Sequence, residues 1–250
     1  GGAITEGERN IAIGAAALAT STTTSYNVAV GHGALNATTG VENVAVGYQA
    51  GAANAGGGAN TLVGYQAGLA NTSGSNTAIG SNSLAANTTG TENTAIGIKA
   101  MQANVDGDES VAVGFSALYN MDPSGNTDMH NVAIGHSASY NCTVGIKNTS
   151  IGSQALYSDD TGSASVAIGY KALYNQDPSG ASDMENTSIG YQSGMALTTG
   201  NRNTFIGTSA GDTTTTGANN TVIGRSADVA AAGDDLSIVI GAGATGEGSS

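Results

Sequence analysis

One short pattern governs this chain. Asn or Ser, a β-branched residue, a residue that is Ala or Ser in ten copies, Ile or Val, and then Gly recur fourteen times. The copies close on Gly14, Gly31, Gly47, Gly64, Gly80, Gly97, Gly114, Gly135, Gly152, Gly169, Gly190, Gly207, Gly224 and Gly241. Their spacing is 16 or 17 residues, and twice 21. Helical repeats are longer, and a helix would not tolerate a Gly and two β-branched residues per unit. Composition alone would point to disorder, because Leu, Ile, Val and Phe supply only 42 of 250 residues and the net charge is −13. A disordered chain keeps no register, so the repeat overrides that prior. The predicted fold is all-β: a parallel β-roll or β-solenoid of about 14 coils of 16–21 residues. At ~4.8 Å per strand spacing it makes a rod roughly 60 Å long.

Each position has physical content. The Ile or Val before the Gly and the β-branched residue two before it share one strand face. The Ala or Ser between them makes the opposite face flat and narrow, fit for close approach of another layer. Asn opens most copies (Asn27, Asn43, Asn76), and stacked Asn side chains form hydrogen-bonded ladders. Three residues past the Gly stands Ala or Ser, often followed by Leu or Met (Leu18, Met101, Leu173). This reads as a second short strand closing each coil. Thr-Thr-Gly turns follow at 38–40, 88–90 and 198–200. A 17-residue coil encloses no thick core, so its narrow face needs a partner, and several chains around a common axis would cover it. One repeat domain spans 1–241, with loop insertions at 119–131 and 174–186 and a tail or linker at 242–250.

Charge and cysteine usage narrow the function. Six cations (Arg9, Lys99, Lys147, Lys171, Arg202, Arg225) against nineteen carboxylates disfavour nucleic acid and anionic membrane surfaces. A single cysteine, Cys142, excludes an intrachain disulfide framework and reads as a buried small residue. No 18-residue apolar run is present to span a bilayer. Because no Ser/His/Asp set or carboxylate pair converges in the pattern, no enzyme, cofactor or metal is expected. Asp106, Asp108 and Glu109 only faintly suggest a calcium loop, since Phe115 stands where its last Glu would be. His130 and His136 flank one strand and read as packed or solvated.

Asn-Thr-Ala-Ile-Gly at 76–80 and 93–97, with Ser-Val-Ala-Ile-Gly at 165–169, resembles the head repeat of trimeric autotransporter adhesins (YadA-like heads). The resemblance runs over residues 4–241 and implies a left-handed parallel β-roll assembled as a homotrimer. It also implies that the Ile or Val before each Gly fills the coil interior while the small residue faces the three-fold axis. On that reading Phe205, Val222 and Val239 thicken the axis core in the last coils. The longer step here, with its Asn-Thr-Thr-Gly turns, is similar to related segments of bacteriophage tail fibres and tail-associated proteins. The resemblance therefore implies a rigid virion-tail segment presenting weak, repeated contacts to a host-surface glycan or protein receptor. The alternative owner is a bacterial surface adhesin. A third possibility, an ice-binding solenoid, is weakened because the strand Thr occurs in only seven of fourteen copies.

Two places carry candidate receptor contacts. The 21-residue steps hold Tyr119, Asp122 and Asp128 in one copy and Tyr174, Asp177 and Asp183 in the other, around an Asp-Pro-Ser-Gly turn. They are expected to project from the same side. Insertions on solenoids often mark the binding face, and Tyr with Asp suits a glycan. The second place is an aromatic stripe just after the Gly, at Tyr48, Tyr65, Phe115, Tyr170 and Tyr191, with His32 and His136 in phase. It reads first as packing at an edge between chains, and second as a sugar platform.

Overall fold

A computed structural model describes residues 7–246. The backbone forms two compact units, one ending at Met129 and the other starting at His130. Each holds seven turns of parallel β-solenoid, one per sequence repeat, and no helix occurs among the described residues. In the first unit Ile11–Ile13, Val28–Val30, Val44–Val46, Thr61–Val63, Thr77–Ile79, Thr94–Ile96 and Val111–Val113 pair in chain order. In the second, Val132–Ile134, Thr149–Ile151, Val166–Ile168, Thr187–Ile189, Thr204–Ile206, Thr221–Ile223 and Ile238–Ile240 do the same. Every pairing aligns equivalent positions, so Ala29 lies on Ala45 and Ile189 on Ile206.

The closing Gly ends each strand because no other residue fits there. Gly47 has φ +141°, and a Cβ on it would collide with the carbonyl of Gly64 in the next coil. Two residues later the chain enters the left-handed region in all fourteen coils, usually with a non-glycine residue such as Gln49, Lys99 or Ser137. It does so again four residues past the Gly in twelve coils, at Leu18, Met101 and Leu173 for example. Such residues are individually unfavourable. They persist because bonds between coils fix them, as from the N–H of Gln49 to the His32 carbonyl (2.8 Å) and from that of Leu35 to the Ala50 carbonyl (3.0 Å).

These left-handed corners correct the expectation of a second closing strand. The segment after each Gly is bonded coil to coil, but its alternating backbone keeps it a run of turns. The extra strands are two-residue pieces placed elsewhere: Gly107–Asp108 pairs with Thr127–Asp128, and Gly162–Ser163 with Ser182–Asp183.

The assignment of strand faces is also reversed. The middle residue of the strand is buried inside the coil, as at Ala29, Ala45, Ala78, Ala95 and Ala167. The flanking β-branched residues point outward. The reason is room. From the closing segment the coil interior already receives an Ala or Ser and then a Leu or Met, such as Ala34 with Leu35 and Ala100 with Met101, all fully buried. Opposite them only a methyl-sized side chain fits in most coils.

Where the middle residue is larger, the wall gives way. Leu62 lies between Gly51 and Gly68, where an added Cβ would come within 2.6 and 2.7 Å of its methyls. Phe205 lies between Gly194 and Gly211 in the same way, and a Cβ on Gly211 would collide with its ring. Phe205, Val222 and Val239 therefore thicken the coil's own interior, where they join Leu173, Leu197 and Val229. They contribute nothing to an axis core.

The Asn that opens eleven of the fourteen strands, buried in all but the first, forms the expected ladder, with a backbone partner on both sides. Its Oδ1 accepts the N–H of the equivalent residue in the next coil, as Asn27 does from Asn43 (2.9 Å) and Asn186 from Asn203 (2.9 Å). Its Nδ2 donates to a turn carbonyl, as Asn43 does to Gly57 (3.0 Å) and Asn203 to Gly217 (2.8 Å). A second internal column, at Asn54, Asn71, Asn87 and Asn104, lies seven residues past the Gly; Asn87 donates to Asn71 (2.7 Å) and Asn104 to Asn87 (3.1 Å).

Candidate functional site

The two insertions are anchored from below and exposed above. Met121 and Met129 are buried at the ends of the first loop, and Gln176 and Met184 at the ends of the second. Between them Pro123 and Pro178 are buried, while Asp122, Asp177 and the loop glycines Gly125 and Gly180 are exposed. The short strands then tie each loop to the coil before it, with Asp128 opposite Asp108 and Asp183 opposite Ser163. Asp128 and Asp183 are exposed on those strands. Under the second loop an open cleft of about 290 Å³ is lined by Pro178, Ser182, Met184, Thr199 and Asn201 among others. Asp177 lies against Asp160, and partial burial together with that neighbouring carboxylate pushes its carboxyl above the ordinary range.

Tyr174 belongs to a different construction from its loop. Together with Tyr140 and Tyr157 it forms a column of stacked rings, with centroids 5.4 and 5.2 Å apart and planes within 13°. All three stand five residues past a closing Gly, and Tyr119 holds the same phase half-buried in the first unit. That shared phase is readable in the sequence.

Within each unit, rings just past the Gly stack on one another. His32, Tyr48 and Tyr65 stack at 5.2 and 5.4 Å, and Tyr170 stacks on Tyr191 at 5.4 Å. Phe115 is exposed at the equivalent position. The rings lie on one another along the coil stack, so they offer edges and hydroxyls to solvent more than faces. Lys171 bridges the two kinds of column. Its Nζ is 5.4 Å from the Tyr170 ring centre and 4.9 Å from that of Tyr174.

The remaining candidates are structural. Asp106 accepts from the Thr89 hydroxyl (2.6 Å), and Asp108 accepts from the Thr91 N–H (2.5 Å) and hydroxyl (3.0 Å). These carboxylates brace the previous coil and do not converge on an ion. No group of three or more metal-ligating side chains occurs among the described residues. Cys142 is buried in the position that Asn104 fills two coils earlier, and burial pushes its thiol up to about 12. One coil on, Asp159 takes the same place. It accepts from the Gly162 N–H (2.7 Å) and from Gln176 Nε2 (2.5 Å), yet burial raises its carboxyl to about 6.

Outside the coils the strand residues build one broad feature. Residues three and one before the Gly, and one after it, all point outward by strand alternation. Each coil contributes one outward row, such as Val44, Val46 and Tyr48, or Thr94, Ile96 and Ile98; up the stack the Ile or Val before the Gly is apolar in every coil, while the position three before the Gly is Thr in seven of fourteen. Most of these large side chains are more than a third exposed, including Val46, Ile79, Ile96, Ile134, Ile189 and Ile206. In each unit the face is about 34 Å long and roughly 14 Å wide, on the order of 500 Å².

No known protein family matches this chain, no curated protein matches it significantly, and no solved structure does.

Proposed function

We propose that this chain is a segment of a trimeric fibre, belonging to a bacteriophage tail fibre or tail-associated protein. It serves as a stiff spacer that presents weak, repeated contacts to a host-surface receptor, most suitably a glycan. The observation that carries the reading is the apolar outer face of the parallel sheet. Parallel sheets are covered on both faces, and here only the inner one is covered within the chain. Three copies meeting on this face would bury it along every coil. The repeat motif and the two exposed Tyr/Asp loops fit the same role. The motif suits the head of a bacterial surface adhesin equally well, and a membrane-anchor sequence elsewhere in the full gene would favour that owner.

The test is native mass by light scattering at two protein concentrations. A mass near three times 24.2 kDa, unchanged on dilution, is the expected result. A folded monomer would overturn the trimer and with it the fibre.

A further inference from the structure

We propose that in the second unit a strip made of Gln154, Lys171 and Gln192, walled by Tyr157 and Tyr174, binds an extended neutral polysaccharide lying along the coil stack, one sugar unit per coil. The proposal rests on the receptor-contact reading above and gives it a place and a ligand class.

Gln154, Lys171 and Gln192 are equivalent residues of successive coils, each two past its Gly and each left-handed (φ +60°, +55° and +54°). They therefore project side by side at the corner where the chain turns away from the apolar face. In the first unit the corresponding Gln49 and Gln66 satisfy one another (Nε2 to Oε1, 2.9 Å). In the second, Lys171 separates the two glutamines, and neither amide is engaged by a hydrogen bond among the described residues. Among the described residues Lys171 makes no ion pair with a carboxylate, despite the excess of acid, and it is held between two tyrosine rings. The hydroxyls of Tyr157 and Tyr174 also have no hydrogen-bond partner among the described residues.

The strip thus presents two amides, an ammonium and two phenols, all half-buried, and their polar atoms make no hydrogen bond among the described residues. Their pitch follows the 5.2 Å ring spacing, comparable to one pyranose unit in an extended chain. Stacked rings expose edges, so recognition is by hydrogen bonds to sugar hydroxyls, with little stacking on ring faces. A net charge of −13 repels polyanions and selects a neutral chain. Each sugar contact is weak, and affinity grows with the number of coils spanned.

The experiment is calorimetric titration of the whole protein with cellohexaose, chitohexaose and mannohexaose, the matching disaccharides, and an alginate hexamer as the acidic comparator. Tyrosine fluorescence gives a second readout, since the chain has no Trp. At least one neutral hexaose is expected to bind tenfold or more tighter than its disaccharide, and more tightly than alginate. Lys171→Ala, Tyr174→Ala and the Gln154→Ala/Gln192→Ala pair are each expected to weaken it at least fivefold with native mass unchanged. Binding indifferent to all three changes but lost in Asp177→Asn/Asp183→Asn overturns the strip while leaving receptor contact with the loops. Tighter binding of alginate overturns the neutral ligand class. If none of these saccharides binds at millimolar concentration, the strip and the glycan-receptor reading fall together.

Discussion

Phe205 shows how a residue is chosen inside a coil this thin. Its ring fits only because Gly194 and Gly211 leave out the side chains that Leu and Met supply elsewhere. Gly211→Ala forces a methyl into that ring at a backbone φ of +63° and should destabilise the second unit by ~1–3 kcal/mol. Placed in a Phe205→Ala background, the same change should cost only its backbone strain; equal costs in the two backgrounds, read from denaturant midpoints, would refute the coupling. Asp159 is the complementary case, a carboxylate where the amide column asks for Asn. Its folded pKa is raised, from 3.8 to about 6, so folding favours the protonated form. Stability should therefore be highest below about pH 4, fall as pH rises to about 6, and stay lower above, by up to ~3 kcal/mol. Asp177 and Asp212, raised in the same direction, add to that slope. Asp159→Asn should flatten it and stabilise the protein at pH 7, as checked by denaturation midpoints from pH 4 to pH 7.

At the scale of the element, the repeat made the coil legible. Strand position, register and the Asn ladder could all be read from the phase of the fourteen glycines. The direction of the strand faces could not. Ala between two β-branched residues satisfies two arrangements by alternation alone, and the decision lies in how much the opposite wall already fills. Leu35 and Met101 in that wall, set against Gly51 where Leu62 replaces Ala, contained the answer, but only as a correlation between different coils. The loops were legible as protrusions, and the phase of Tyr174, five past its Gly like Tyr140 and Tyr157, was legible too; the stacking of the three rings was not, because it depends on how closely successive coils sit. Two changes test the element. Asn203→Ala leaves the Asn220 N–H and the Gly217 carbonyl without their side-chain partners, and should cost ~2–4 kcal/mol in unfolding free energy. Excising residues 178–181 returns that coil to 17 residues. It should leave native mass and unfolding midpoint nearly unchanged, because the anchors Gln176 and Met184 remain.

For the whole molecule, the outer apolar face outweighs any single contact. Ile168→Glu together with Ile189→Glu places two carboxylates per chain in the proposed three-chain seam. Light scattering should then show monomer in place of trimer, with the coil fold retained by circular dichroism. A trimer that survives both charges would mean that the chains meet elsewhere. The stack of coils in register carries a different consequence, for how such a chain changes over time. Each coil offers the next one the same bonding edge in the same phase, so a block of whole coils can be copied or lost without a new core having to be found. The near-identical loops that begin at Tyr119 and Tyr174, three coils apart in sequence, have the form such a copy would leave. Length in this chain behaves like a count, and an evolving gene can change it by adding or removing whole coils.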